Sequence, residues 1–112
     1  MKVAKIKPLL PSLRQKKRYL AFEIIADKKL EVSQIKTELF NKIKDFLGEF
    51  TLSKANLDLV EAKGNKAILK VSNKYADILR SALILVKNIN KEAVLIRTLI
   101  LSGSIQKAKN YI

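Results

Sequence analysis

Near the middle of this chain two strand-like runs, 57–63 and 66–72, are separated by only Gly64 and Asn65. A two-residue loop of this kind joins antiparallel neighbours, and glycine supplies the positive φ that such a turn requires. The hairpin constrains everything on either side of it. Upstream, 18–26 reads as a strand with Leu20, Phe22 and Ile24 on one face. Ser33 then stands where a cap belongs, before a helix with Ile35, Leu39, Ile43, Phe46, Leu47 and Phe50 at helical spacing. Gly48 marks either its stop or a tolerated break. Downstream, Asn73 is placed to cap a second helix over 75–86, a strand follows over 93–101, and Ser102-Gly103-Ser104 interrupts it before a short helix over 105–112.

Strand and helix on one side of a hairpin, helix and strand on the other, predict an α+β fold. It is a ferredoxin-like, RRM-like βαββαβ sandwich, with a basic N-terminal arm and a short C-terminal helix. The chain of 112 residues suits a single domain, with 1–17 as an extended arm and 18–112 as the core. Pro8 and Pro11 keep the arm from forming helix. The last strand is apolar on both faces, Val94, Ile96 and Ile100 alternating with Leu95, Leu99 and Leu101. The sheet is therefore expected to be covered on both faces, by the terminal helix or by a partner. The helix over 75–86 is apolar nearly all round and is expected to be covered on more than one side. Leu79, Leu83, Val86, Leu99 and Leu101 are the candidate interface residues toward a protein partner or a second copy.

Charge is distributed unevenly. The formal net charge is +13, and the first eighteen residues hold seven cations (Lys2, Lys5, Lys7, Arg14, Lys16, Lys17, Arg18) and no acid. After Glu92 only Arg97, Lys107 and Lys109 are charged. The two termini thus carry the excess, and its natural partner is a polyanion such as nucleic acid. With no cysteine and no histidine, thiol nucleophiles, imidazole acid–base catalysis and Cys/His zinc sites are excluded. The acids at Glu23, Asp27, Glu31, Asp58 and Glu61 form no metal-ligand or nucleophile pattern, and no Walker-type loop is present. No protein-bound cofactor or metal is expected. No secretory or membrane-spanning segment is apparent, so the chain is expected in the cytoplasm.

Four features carry candidate RNA contacts, each with a plainer reading beside it, and Arg14, Lys107 and Lys109 are candidate phosphate contacts expected on the same side. Lys16, Lys17 and Arg18 are adjacent cations suited to phosphates, or a solvated charge run; the acid-free segment before them favours the former. Tyr19 can stack on a base, although a structural place in the strand is the simpler reading. Ser102, Gly103 and Ser104 form an anion-binding turn, or a plain turn in which Ser104 caps the last helix. Arg97 is the one charge in an apolar strand; it pairs with a carboxylate such as Glu23, or it faces RNA. An RNA-recognition motif of the usual kind needs aromatics on its third strand, where this chain has KAILKVS, so base stacking on the sheet is not expected.

Three blocks, LLPSLRQKKRYLAFEI at 9–24, ALILVKNIN at 82–90 and IRTLILSGSI at 96–105, resemble the archaeal and eukaryotic ribonuclease P protein component 2 family, the lysine-rich and cysteine-free composition suiting an archaeal member. The resemblance spans nearly the whole chain in the right order. It departs at the end, where some members carry a longer basic extension and this chain has Lys107 and Lys109. It implies a non-catalytic protein subunit of the ribonucleoprotein that removes the 5′ leader from precursor tRNA. It further implies a catalytic RNA with magnesium ions at its active site, indirect contact with precursor tRNA, and a TIM-barrel partner, ribonuclease P protein component 3. A ribosomal or general structured-RNA-binding module is the alternative that shares the same charge and fold. A small-ligand regulatory domain has no use for the charge, and an acylphosphatase-like enzyme would need an anion loop after the first strand, where ADKKLEVS stands.

Overall fold

In a computed structural model, which describes residues 16–112, the strand at the start of the core becomes the centre of the sheet. This strand, β1 (Lys17–Ala26), is bonded on one edge to β3 (Lys66–Ser72) and on the other to β5 (Glu92–Ser102). Its middle, Leu20 to Glu23 and on to Ile24, is buried on both faces, as a central strand must be. The remaining elements are α1 (Val32–Leu47), α2 (Glu49–Ala55), β2 (Asp58–Lys63), one 3₁₀ turn (Asn73–Tyr75), α3 (Ala76–Leu85), β4 (Asn88–Ile89) and α4 (Ile105–Lys109). The strand order is β2-β3-β1-β5-β4, antiparallel throughout. Apart from the short β4, this is the ferredoxin-like arrangement the sequence predicts.

The main core lies between the sheet and α1 and α3. Leu20, Phe22 and Ile24 meet Leu69 and Val71 of β3, Val94 and Ile96 of β5, Val32, Ile35, Leu39 and Ile43 of α1, and Leu79 and Leu83 of α3. A smaller cluster on the opposite face joins Ala21 and Ile68 to Ala108 of α4, with Tyr19, Val60, Leu99, Ile100 and Ile112 packed around it. The terminal helix therefore covers part of the second face itself.

The alternation along the last strand is broken by a bulge. Ala21 faces Ile100 and Phe22 faces Thr98, leaving Leu99 as the extra residue. The bulge reverses the parity beyond it. Leu99 and Ile100 both join the α4 side, while Leu101 turns to the main core with Val94 and Ile96. Ile100 thus lies on the face opposite to the one simple alternation gives it.

Both helix starts also differ from expectation. Ser33 lies inside α1, whose cap position is Glu31 with no side-chain bond. The orphan Val32 amide is met instead by the Gly64 carbonyl at 2.9 Å, so the hairpin turn caps the helix. Asn65 ties the same turn to β1: its Nδ2 donates to the Ile24 carbonyl at 2.9 Å, and its carbonyl accepts from the Ile24 amide at 2.8 Å. Gly64 alone takes positive φ (59°), the pattern of a type II′ turn. Asn73 opens the 3₁₀ turn rather than capping α3, and its amide donates to the Lys16 carbonyl at 2.7 Å. A second hairpin, β4 to β5, turns through Asn90 and Lys91, both at positive φ (53° and 67°). A lysine at such a position is a weak turn signal, which is why this hairpin is not evident from the sequence.

Gly48 is a true break. At φ 83° and ψ 157° it sits in a region open essentially only to glycine, and it re-aims the chain so that Phe50 of α2 is left 73% exposed. A Cβ added at Gly48 meets nothing within 4 Å, so only backbone strain opposes a side chain. Gly48→Ala is expected to lower stability by about 1–3 kcal/mol in denaturant titration, without altering the core. A variant as stable as the parent would show that the α1–α2 junction tolerates other backbone geometries.

Candidate RNA interface

Antiparallel pairing brings the start of β1 next to the ends of its two neighbours. Lys17 lies opposite Ser72 of β3, and Tyr19 lies between Lys70 of β3 and Ser102 of β5. The 3₁₀ turn after β3 and the Ser102–Ser104 turn after β5 therefore sit on either side of the Lys16–Arg18 run. Lys16 and Lys17 are exposed, Arg18 is half-buried, and Lys74 of the 3₁₀ turn and Lys107 of α4 are exposed. None of these, nor Lys70, forms an ion pair with an acid among the described residues. Lys70 and Lys74 were not singled out from the sequence, because only strand register shows that they adjoin the run. Arg14 lies outside the described residues.

The Ser102–Ser104 turn is closed on itself. Ser104 N–H donates to Ser102 Oγ at 3.0 Å, and Ser104 Oγ accepts from the Lys107 amide at 3.4 Å as the cap of α4. These bonds show Ser104 acting as the cap of α4, as the plainer reading of this turn expects, while the two hydroxyls accept and keep their own O–H donors. What the turn offers to a ligand is its neighbour: the Arg18 guanidinium lies against Gly103.

The other candidates separate clearly. Tyr19 packs its ring into the cluster beneath α4, a structural position. Arg97 bonds the Glu23 carboxylate directly across the β1–β5 ladder, and the Glu23 side chain is only 12% exposed. The Arg97 side chain keeps 63% exposure, so part of its fork still faces solvent. Lys109 reaches Glu61 of β2 at 3.6 Å, which partly neutralises it.

The expected protein interface needs correction. Leu79, Leu83 and Val86 are almost fully buried in the chain's own main core and cannot meet a partner. Leu99 packs beneath α4, and Leu101 packs partly against the main core. Among the described residues α3 is covered on one side only. Its outward Ile78, Ile84 and Leu85 stay 45%, 52% and 52% exposed, because no other element among the described residues packs there.

Fold and site together define a ferredoxin-like domain whose open sheet face is partly covered and lacks an aromatic platform, while unpaired cations gather at one strand end. Comparisons with known proteins make this specific. Residues 18–112 match the model of the Rpp14/Pop5 family. Over 107 residues the chain is 36% identical to ribonuclease P protein component 2 of Pyrococcus abyssi, covering 94% of this chain and 91% of that one. It is 35% identical to the protein of the same name from Methanocaldococcus jannaschii, covering 93% and 78%. In fold it resembles a chain of yeast ribonuclease MRP, with a TM-score of 0.67 at 14% identity over 82% of this chain and 77% of that one. The chain belongs to the Rpp14/Pop5 family.

The two sides of α3 should respond differently to truncation. Leu83→Ala is expected to cost about 2–5 kcal/mol through the cavity it leaves. Ile84→Ala, on the exposed side, should stay within about 1 kcal/mol. Thermal or denaturant melts of the isolated protein check both, and similar losses would contradict the placement of Leu83 in the core and Ile84 outside it.

Proposed function

We infer that the protein is a non-catalytic subunit of ribonuclease P, the ribonucleoprotein that removes the 5′ leader from precursor tRNA. Its relatives carry that name over most of both chains, and the observation that supports a direct part in RNA binding is the group of unpaired cations at the start of β1. Among the described residues no helix is long and apolar enough to cross a membrane, and action on precursor tRNA in the cytoplasm belongs to the same reading.

The mechanism follows from electrostatics. Packing RNA helices closely enough to hold catalytic magnesium brings phosphates together, and their repulsion opposes the active geometry. Lys16, Lys17 and Arg18, with Lys70, Lys74 and Lys107 beside them, place fixed positive charge against that phosphate. The protein thereby lowers the magnesium needed to hold the catalytic domain of the RNA in shape, while the RNA carries out cleavage and precursor tRNA is met only indirectly. Such contacts orient and stabilise without reading sequence. On this reading magnesium belongs to the RNA site; the chain has no cysteine or histidine, and no group of acidic residues is placed to hold a metal ion among the described residues. A second protein subunit, of the TIM-barrel component 3 type, is the proposed protein partner; mass measurement with and without it separates that pairing from self-association.

If about four phosphates are engaged, log affinity should fall against log salt with a slope of roughly −3. Replacing Lys16, Lys17 and Arg18 together by Ala should weaken binding to the cognate RNA and flatten that slope with the melting temperature preserved. In reconstitution with the partner subunit, the same variant should require more magnesium for precursor-tRNA cleavage. Unchanged binding would refute the role of this run. Equal affinity of the parent protein for unrelated structured RNA would instead favour a general RNA-binding module.

A further inference from the structure

Two arginines on the sheet have different surroundings. Arg97 is held by the Glu23 carboxylate. Arg18 has no acidic partner among the described residues, and its guanidinium lies over Gly103: a Cβ on residue 103 would be 2.7 Å from Nη1 and 3.8 Å from Cζ. No buried side-chain nitrogen or oxygen in the described residues lacks a hydrogen-bond partner, so the Arg18 donors that make no bond are open to solvent. Glycine is not required here by the backbone. The positive-φ glycines are Gly48 and Gly64, and Gly103 is not among them. What the missing side chain provides at Gly103 is room for the guanidinium.

We propose that Gly103 is a positioning residue for Arg18: the bare turn lets the half-buried guanidinium seat its Nη1 end against residue 103, with its remaining donors presented to one RNA phosphate. The inference rests on the RNA-binding reading above and assigns one of its contacts. Beside a capped turn, the arginine gives up less conformational freedom on binding than a free surface side chain does. A planar fork held in place suits a phosphate, which accepts two parallel N–H bonds. An added methyl at residue 103 would displace the tip of a flexible side chain and not backbone, so the fold should survive while the fork moves.

The test measures affinity of the full chain for its cognate RNA across a salt series, for the parent, Arg18→Ala, Gly103→Ala and the double variant, with a melting temperature for each. Arg18→Ala is expected to bind roughly tenfold more weakly and to reduce the salt slope by about 0.7–0.9. Gly103→Ala should reproduce most of both effects at an unchanged melting temperature. The double variant should match Arg18→Ala alone, because the two substitutions remove one contact. Parental binding by Gly103→Ala, with Arg18→Ala impaired, overturns the positioning role and leaves the RNA contact standing. Parental binding by Arg18→Ala removes the RNA contact at this residue and the proposal with it. A double variant weaker than Arg18→Ala shows that Gly103 acts by another route, also against the proposal.

Discussion

Hydrogen bonding of β1 along both of its edges decides where the rest of the molecule can lie. Because β3 and β5 both run antiparallel to it, both must end where it begins. The cations that precede and open β1 therefore share one end of the sheet with two turns, one after each neighbour. The same pairing buries Leu20, Phe22 and Ile24 against two helices and Ala21 against a third. Charge and core are set by one strand: its first residues are solvated, and the next ones are sealed. At its other end Ile24 is bonded to Asn65, and the adjoining Gly64 carbonyl caps α1, so the hairpin turn closes the structure there.

Much of this was legible because it follows from periodicity and turn chemistry. Leu20, Phe22 and Ile24 alternate, Ile35, Leu39 and Ile43 recur at helical spacing, and Gly64-Asn65 joins two strands; each feature is local and each predicted its element. Less local features stayed hidden. The bulge at Leu99 shows in no spacing, since an apolar run such as LILS fits either parity, and only the register with Ala21 and Phe22 reveals it. The cap of α1 comes from a carbonyl 32 positions away in sequence, so the local candidate Ser33 misled. The apolar circumference of α3 suggested Leu79 and Leu83 for an interface, whereas the sheet claims those residues and leaves Ile84 and Leu85 outside.

The candidate site was legible in composition more than in geometry. An acid-free run can be counted, but Lys70 and Lys74 join it only through strand pairing. Arg97 stood between two explanations, and register resolves its partner by placing Glu23 directly opposite. Energetics explain why such pairing is not the main source of stability. Arg97 is well exposed, so its bond to Glu23 is screened by water and adds little beyond satisfying a nearly buried carboxylate. The stability lies in the two apolar clusters.

That division leaves the cations at the start of β1 without an evident structural role. Removing them costs no packing, apart from the stem of Arg18, and no ion pair among the described residues depends on them. Mutual repulsion among like charges is a small but real burden on a folded domain. Its presence at one strand end is consistent with an external anion that relieves it, and RNA phosphate is the anion in the function proposed above. The partly covered sheet also limits how that RNA is met. With α4 seated on Ile68 and Ala21, and Tyr19 packed beneath it, no aromatic platform remains for bases. On the reading proposed above, contact then runs through phosphates and not through stacked bases, and phosphates carry shape and charge but no sequence information. A protein restricted in this way can hold an RNA's fold, and it leaves recognition and cleavage to the RNA.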